Sequence, residues 1–335
     1  MPSVRQPRWR EDLKALVACH STPGDEDEVA AFLRTAWADA GWTVASHGRS
    51  AVSARLPRRR PRQPTLLVCA HMDSPGFSIQ AVGEVCATVI PLGKPVLEGV
   101  STEVILKTRD DRTWLVLEKD DTPGKPATYW TPTIPGMTAG DRLCYHGSIE
   151  VTRSGRIRGP FLDNRLGCAV LCEVARRAAS GRLGVNLVLG ATASEEMGGY
   201  GAAVLAHAIR PDLVICLDAT YDSMDHGVQL GGGPVLTLSD ASVLLGSHER
   251  DGVLAFAQSA GVPLQTEVYN VSGTDARAFP HAGLPARVYP LLLPTLGNHS
   301  PSEEAVSADV EALLTLLEAA LKPAAWRSFF VSDFA

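Results

Sequence analysis

The feature that most constrains the fold is an alternation of strand-like and helical segments that begins after Gly159. Apolar runs rich in β-branched residues occupy 185–191, 213–217, 264–269 and 286–292. Apolar residues at helical spacing occupy 164–179, 198–208, 248–260 and 308–321. Strands that alternate with helices indicate a sheet covered by helices on both faces. The sequence therefore predicts an α/β fold with a mixed sheet.

The first half of the chain has a different organisation. Residues 9–40 predict two helices separated by a turn at 21–24, and strand-like runs follow at 42–45, 51–56 and 65–70. Between 78 and 156, glycine, proline and Asp-Asp turns separate short β-branched runs, and no helical period is present. These runs predict short strands at 87–91, 103–107, 114–117 and 150–152. We predict a discontinuous domain at 1–77 and 156–335, interrupted by a small inserted β domain at 78–155.

The composition and net charge argue against a protein that binds nucleic acid or a membrane. The chain of 335 residues has a formal net charge of −6, which gives no electrostatic case for binding nucleic acid or an anionic membrane. No apolar run is long enough to span a bilayer, and the N-terminus lacks the apolar core of a signal peptide. Seven cysteines occur singly, as expected for free thiols in a reducing compartment. These features predict a cytoplasmic protein.

Five short segments place a metal-binding side chain at the end of an apolar run. They are LLVCAHMD with His71 and Asp73, GPFLDNRLG with Asp163, TASEEMGG with Glu195 and Glu196, LVICLDAT with Asp218, and GNHSP with His299. Ligands of open α/β sheets collect at the carboxyl ends of the strands. Two imidazoles with several carboxylates form the ligand set of a two-zinc hydrolase. The sequence therefore predicts a metal centre at this edge of the sheet.

Each of these side chains also has an ordinary structural interpretation. Asp73 is placed to accept the second ring N–H of His71, although a histidine at a strand end is often only a hydrogen-bonding group. Asp163 precedes a helix and could cap it. Glu195 and Glu196 are adjacent, so they point in different directions and have different roles, unless both are solvated residues favoured by a helix dipole.

The ordered series H-x-D, L-D-N-R, E-E-M-G-G-Y-G-A, a strand-ending Asp and H-S resembles the glutamyl-aminopeptidase and tetrahedral-aminopeptidase family of dinuclear metallopeptidases. The resemblance extends from Asp12 to Leu321 and is weakest between 78 and 156. It implies a zinc-aminopeptidase-like sheet and an enzyme that releases N-terminal residues from peptides. Two alternatives stay open: a deacylase or carboxypeptidase of related fold, and a non-catalytic assembly protein, against which the presence of Glu195 argues.

The resemblance also implies two divalent metal ions per subunit. Zinc is the expected ion, and Co²⁺ or Mn²⁺ suit the same ligands. By the resemblance, Asp163 is a carboxylate that bridges the two metals, and a cis peptide bond often follows it. His71 and Asp218 complete one metal, and Glu196 and His299 complete the other. Glu195 acts first as a general base and later as a general acid. The segment Ser272–Ala276 resembles an element near the substrate pocket, although Asp275 could instead begin a helix.

The resemblance further implies a homo-oligomer, either a dimer or a dodecamer. Two departures from the family pattern concern this assembly: the insert is short, and Ser74-Pro75 replaces an acidic-aliphatic pair. The apolar C-terminal segment 326–331 would either lie at a subunit interface or fold back onto its own core.

Overall fold

An eight-stranded mixed sheet forms the centre of the larger part of the computed structural model. The structure describes residues 8–325, except 58–59, 61–62, 98, 110, 121, 123–126, 180 and 324, so the apolar segment 326–331 lies outside the described residues. In spatial order the strands are β1 (Thr43–His47), β2 (Ala51–Arg55), β12 (Asn186–Thr192), β3 (Thr65–His71), β13 (Leu213–Tyr221), β16 (Arg287–Thr295), β14 (Val235–Ser239) and β15 (Gln265–Val268).

The four central strands of this sheet, β12, β3, β13 and β16, run parallel to one another. The outer pairs β1–β2, β2–β12 and β16–β14 are antiparallel, and β15 is parallel to β14. Because the central strands are parallel, their carboxyl ends meet at one edge of the sheet, where the predicted ligands would collect.

Helices cover both faces of the sheet, as predicted. On one face are α1 (Trp9–Val17), α2 (Asp27–Asp39), α3 (Leu162–Ala178), α5 (Ser247–Ser259) and α7 (Ser307–Leu321), and on the other are α4 (Tyr200–Ile209) and α6 (Ala278–His281). Each face of the sheet has its own hydrophobic core, and β3 contributes to both. Leu66, Val68 and Ala70 pack on the face covered by α3, whereas Leu67 and Cys69 pack on the face covered by α4. Since successive side chains of a strand point to opposite faces, both faces of β3 are buried.

The middle of the chain forms a closed barrel. Its strands are β4 (Gly76–Val82), β5 (Cys86–Leu92), β6 (Ser101–Lys107), β7 (Arg112–Asp120), β8 (Thr128–Pro132) and β9 (Arg142–Tyr145), paired in the order β4-β5-β8-β7-β6-β9. Phe77, Val104, Leu106 and Leu143 are fully buried inside it. Closure pairs the edges that a small sheet would otherwise expose.

The strand predicted at 150–152 pairs outside the barrel. It is β10 (Glu150–Val151), which joins β11 (Arg156–Gly159) and β17 (Glu303–Val306) in a three-stranded sheet. Its first two strands connect the end of the barrel at Tyr145 to the start of α3, and its third strand follows β16. The predicted domain boundaries, at 77/78 and 155/156, stay a prediction.

A group of charged side chains ties the segment before and within α2 to the barrel. Lys107 Nζ lies 3.0 Å from Asp25 Oδ1 and 3.2 Å from Glu28 Oε1, and Arg112 also pairs with Glu28. Burial alone would raise the pKa of Asp25 and of Glu28. Hydrogen bonds outweigh burial at both residues. Those from His20 and Lys107 lower the pKa of Asp25, and that from Arg112 lowers the pKa of Glu28.

Within the described part of the chain, none of the helices combines the length and apolar character that crossing a membrane requires.

Candidate metal centre

The predicted ligands come from five elements that meet at the carboxyl edge of the sheet. His71 is the last residue of β3, Asp218 lies in β13, and Asp163 lies in the first turn of α3. Glu195 and Glu196 form a short 3₁₀ turn that follows β12. His299 lies between β16 and β17, and the structure brings all of these side chains together.

Asp163 occupies the middle of the cluster, with each carboxylate oxygen near a different imidazole. Asp163 Oδ1 lies 3.2 Å from His71 Nε2, and Oδ2 lies 3.4 Å from His299 Nε2. On the first side, His71 Nε2 is 3.1 Å from Asp218 Oδ1; on the other, His299 Nε2 is 3.3 Å from Glu196 Oε1. Two groups suited to a metal ion, each with its ligand atoms within 4.8 Å of one another, therefore share Asp163.

A third group of the same kind, also found among the described residues, joins His71 to Glu195 and Glu196. Glu195 thus lies beside the cluster rather than apart from it. Which of these side chains hold a metal ion, and in what role, stays a prediction.

Both imidazoles direct Nε2 toward Asp163 because a main-chain carbonyl holds the other ring nitrogen. His71 Nδ1 lies 3.0 Å from the carbonyl oxygen of Asp73, and His299 Nδ1 lies 3.2 Å from that of Lys94. This differs from the prediction that the Asp73 carboxylate accepts the ring N–H, since Asp73 Oδ1 is 3.6 Å away. A carbonyl that fixes the tautomer leaves Nε2 free to act as a ligand.

The Asp73 carboxylate binds elsewhere in the cluster. Its Oδ1 accepts the main-chain N–H of Glu195 at 3.1 Å, and its Oδ2 accepts that of Glu196 at 3.2 Å. Asp73 is completely buried, so these hydrogen bonds form away from water. They fix the direction in which the two glutamate side chains leave the turn.

The cluster contains more acceptors than donors. With its Nδ1–H directed at the carbonyl, His71 presents a lone pair at Nε2 to the oxygens of Asp163 and Asp218. Asp163 Oδ1 and Glu196 Oε1 are buried, and none of the described residues donates a hydrogen bond to either oxygen. Buried acceptors that face one another need a proton or a metal cation between them.

The pKa values express the same imbalance of charge. Burial raises the pKa of Glu195, of Glu196 and of Asp218. Burial alone would lower the pKa of His71, but the negative charge of Asp218 and its neighbours raises it instead. For Asp163, the two imidazoles outweigh burial and lower the pKa. Positive charge is therefore strongly stabilised inside this cluster.

The backbone around the cluster adopts conformations that non-glycine residues rarely adopt. Four non-glycine residues in the described part of the chain have positive φ, and three of them belong to the predicted site: His299 (68°) is a predicted ligand, Ser194 (58°) precedes Glu195, and Phe161 (65°) lies two residues before Asp163. The Asp163–Asn164 peptide bond is cis, as the resemblance implies. Left-handed backbone at such residues persists only where the surrounding structure over-determines it, and it concentrates at functional sites.

A cavity of about 210 Å³ lies between the start of α4 and α6. Its lining includes Tyr200, His207, Arg277 and His281. Arg277 Nη2 donates to Glu195 Oε1 at 3.3 Å. The cavity therefore opens beside a predicted catalytic group and offers room for a side chain of a substrate.

Close packing between the turn and α4 depends on glycine. Gly198 and Gly199 have φ values of 129° and 73°. A Cβ at Gly201 would lie 2.3 Å from the carbonyl oxygen of Ser50 and 2.4 Å from the nitrogen of Ala193. Only glycine lets this segment approach β12 so closely.

Asp275 is buried rather than exposed at a helix start. Thr274 caps the 3₁₀ turn in this segment, and the Asp275 carboxylate accepts a hydrogen bond from the hydroxyl of Thr192. Burial raises the pKa of Asp275 to about 7. The side chain thus adds to the carboxylates close to the predicted centre.

Sequence reasoning missed one buried carboxylate in contact with the ligands. Glu303 Oε2 accepts the main-chain N–H of Asp163 at 2.9 Å, and Oε1 accepts that of His299 at 2.9 Å. The available signal was the pair Glu303-Glu304 at the start of a strand, where alternation places one side chain inward and one outward.

An α/β sheet with buried imidazoles and carboxylates at the carboxyl ends of its parallel strands is the arrangement of a metal-dependent hydrolase. Comparison with known proteins identifies the family. The M42 glutamyl aminopeptidase family matches residues 134–316, more than half of the 335-residue chain, and the chain belongs to this family of metallopeptidases. It is therefore a peptidase of the aminopeptidase class, and the family implies a divalent metal ion.

Individual relatives agree with this assignment. The chain is 30% identical to a lysyl aminopeptidase of Pyrococcus furiosus over 77% of its own length and 82% of the relative. It is 26% identical to a glutamyl aminopeptidase of Lactococcus lactis, covering 86% of this chain and 89% of the other. The solved structure of the Pyrococcus horikoshii TET1 peptidase, described as able to assemble into a tetrahedron or a large octahedral shell, shares the fold, with a TM-score of 0.82 and 22% identity over 94% of this chain and 99% of that one.

Proposed function

We propose that this aminopeptidase acts through two divalent metal ions that share Asp163. The observation that carries the proposal is the position of Asp163, whose two oxygens face the Nε2 atoms of His71 and His299 separately. A carboxylate in that position can bind two cations at once, whereas a helix-capping aspartate would direct an oxygen to main-chain N–H groups.

The donor set fits this assignment. His71, Asp163 and Asp218 would hold one ion, and Asp163, Glu196 and His299 would hold the other. The buried oxygens Asp163 Oδ1 and Glu196 Oε1, which accept no hydrogen bond from the described residues, would become ligands. When bound, a pair of such ions polarises a scissile carbonyl and acidifies water. Zinc is the proposed ion, and Co²⁺ or Mn²⁺ would replace it because nitrogen and oxygen ligands discriminate weakly among these ions.

Glu195 is the proposed general base. Its main-chain N–H is held by Asp73 and its Oε1 accepts from Arg277, so the side chain has a defined position without being assigned to a metal. The carboxylate would take a proton from the attacking water and then give it to the nitrogen of the leaving amine. Asp73 would act by positioning Glu195 and Glu196.

The proposed substrate is a peptide with a free amino end. A protonated amine would be attracted to the carboxylates of Glu195, Glu196 and Asp275, whose charge burial leaves poorly solvated. A neutral amide would bring no positive charge to these carboxylates, so the site would hold it less well than a protonated amine. The residue preference is left open.

Self-association is the proposed state of the chain in solution. The support is the shell assembled by the P. horikoshii relative and a set of large apolar side chains that are strongly exposed in this chain, including Met224 (89%), Leu244 (82%) and Val271 (76%). Soluble monomers rarely leave large apolar surfaces in water. We propose a homo-oligomer that is at least a dimer.

The deciding experiment uses the full chain stripped of metal by a chelator. We expect no cleavage of aminoacyl anilides until Zn²⁺, Co²⁺ or Mn²⁺ is added back, and we expect mass spectrometry to show cleavage of a free peptide but not of its N-acetylated form. Equal cleavage of the two peptides would indicate a deacylase or endopeptidase. Full activity without metal would contradict the two-metal proposal, and inactivity with every metal and substrate would favour a non-catalytic assembly protein.

A further inference from the structure

We propose that Glu303 is a positioning residue that sets the spacing between Asp163 and His299. One carboxylate accepts both main-chain N–H groups, at 2.9 Å from Oε2 to Asp163 and at 2.9 Å from Oε1 to His299. The inference rests on the proposed function, because it assumes that these two residues are metal ligands. It adds a residue that contacts neither substrate nor metal and acts through the ligand backbones.

The geometry of a carboxylate suits this role. Its two oxygens are held rigidly in one plane, so a single side chain fixes two amide groups that lie 136 positions apart in the sequence. The side-chain atoms of the same two residues are separated by 3.4 Å, between Asp163 Oδ2 and His299 Nε2. A shift of either backbone would change that separation directly, and ligand geometry within a few tenths of an ångström determines metal affinity.

The other side of each residue is anchored by a different element. The carbonyl of Asp163 accepts a hydrogen bond from Ser74 Oγ at 2.7 Å, and the carbonyl of His299 accepts from Tyr145 Oη at 3.0 Å and from the Val96 N–H at 2.8 Å. Each residue is thus held at its carbonyl by groups at or within the barrel and at its amide by Glu303.

The backbone of His299 has the greatest need of such an anchor. Its φ of 68° lies in the left-handed region, which a histidine adopts only when neighbouring groups hold it there. The hydrogen bond from the His299 N–H to Glu303 is one of those constraints. Without it, we expect the residue to relax and Nε2 to move away from Asp163 and Glu196.

The isosteric variant Glu303→Gln tests the proposal. A glutamine side chain has one acceptor oxygen and one NH₂ group, so it can accept only one of the two N–H groups and directs a donor at the other. Glu304→Gln is the matched control: it is the next residue of β17, and its side chain pairs with Arg156 and Arg158 near the surface instead of with the ligands.

The readout is Zn²⁺ affinity of the full chain, measured by competition with a chromophoric chelator, together with the visible absorption spectrum of the Co²⁺-loaded protein. Loss of an outer partner of a ligand typically weakens metal affinity by about 10–100-fold, and we expect Glu303→Gln to fall in that range. Its Co²⁺ bands should shift because the ligand geometry changes. Glu304→Gln should stay within about twofold of wild type, as expected for a surface ion pair.

Each outcome decides a question. Zn²⁺ affinity and Co²⁺ bands of Glu303→Gln that match those of Glu304→Gln would overturn the positioning role. Failure of the wild-type chain to bind Zn²⁺ would instead overturn the proposed function. If Glu303→Gln does not fold by circular dichroism, Glu303→Asp replaces it: aspartate keeps both acceptors but is one methylene shorter and can reach only one amide. Weaker Zn²⁺ binding by that variant supports the proposal, and unchanged binding refutes it.

Discussion

Replacing Glu195 by glutamine should separate the catalytic rate from the metal content. The exchange removes the basic oxygen and the charge while keeping the shape of the side chain. Glutamine Oε1 can still accept the hydrogen bond that Arg277 donates at 3.3 Å, and the main-chain N–H still donates to Asp73 at 3.1 Å. The fold and the five proposed ligands should therefore be unaffected.

The expected loss of rate follows from the surroundings of Glu195. A positioned general base contributes roughly 10²–10⁴-fold to the rate. At 1.36 kcal/mol for each factor of ten, this raises the barrier by about 2.7–5.4 kcal/mol. Glu196 is assigned to a metal, and the carboxylate of Asp275 is bound to Thr192, so neither can replace the lost base. We therefore expect kcat to fall by at least a hundredfold, which is the lower end of that range.

The assay combines turnover of an aminoacyl anilide with elemental analysis of zinc after dialysis. Glu196→Gln is the matched control, since the same exchange one residue further along removes a proposed ligand. We expect it to lose both zinc and rate, whereas Glu195→Gln loses the rate alone. The assignment is refuted if Glu195→Gln keeps more than about a tenth of the wild-type rate, or if it loses zinc to the same extent as Glu196→Gln.

Three further predictions concern the metals, the pH dependence of stability and the assembly. Asp163→Ala should lose both metals and His299→Ala mainly one, because only a bridging residue touches both ions; equal loss by elemental analysis would contradict this. Lys107→Met should lower the free energy of unfolding by about 1 kcal/mol at pH 7. Asp25 and Glu28 have lowered pKa values, so their contribution to stability is present above their unfolded pKa of about 4 and is lost as the pH falls through the folded value. Urea unfolding should show the difference between wild type and variant shrinking as the pH falls below about 4, and an unchanged difference would count against the prediction. Light scattering at micromolar concentration should give at least a dimer mass, and a monomer mass would refute self-association.

The helices of the sheet domain were predictable because their apolar spacing is local. The helix predicted at 308–321 is α7 (Ser307–Leu321), and that at 164–179 is α3 (Leu162–Ala178). In the barrel, the runs at 87–91, 103–107 and 114–117 correspond to β5, β6 and β7, whereas β4, β8 and β9 were not predicted. Closure depends on pairs such as Phe77 with Leu143, which are too distant in sequence to leave a local pattern.

In the candidate site, too, residues marked by a local sequence pattern could be predicted, whereas contacts between distant segments could not. His71 and Asp218 stand out because each directly follows an apolar run, a pattern visible within eight residues. The hydrogen bonds of Asp73 to the turn after β12, and those of Glu303 to two ligand backbones, join segments that only the folded chain brings together. A carboxylate that binds main-chain amides leaves no pattern in the partner residues, because every residue other than proline offers the same N–H group.

The hydrogen bond between Ser74 and Asp163 has a consequence for how such chains diversify. The chain leaves the sheet domain just after Asp73 and re-enters it at Asp163. The 2.7 Å hydrogen bond from Ser74 Oγ to the Asp163 carbonyl joins these two points. An inserted segment whose two ends are held together by a hydrogen bond can change in length or sequence without straining the domain into which it is inserted. A chimera that carries a foreign barrel should therefore keep its metal affinity, provided that the graft retains the groups that hold the carbonyl and ring nitrogen of His299.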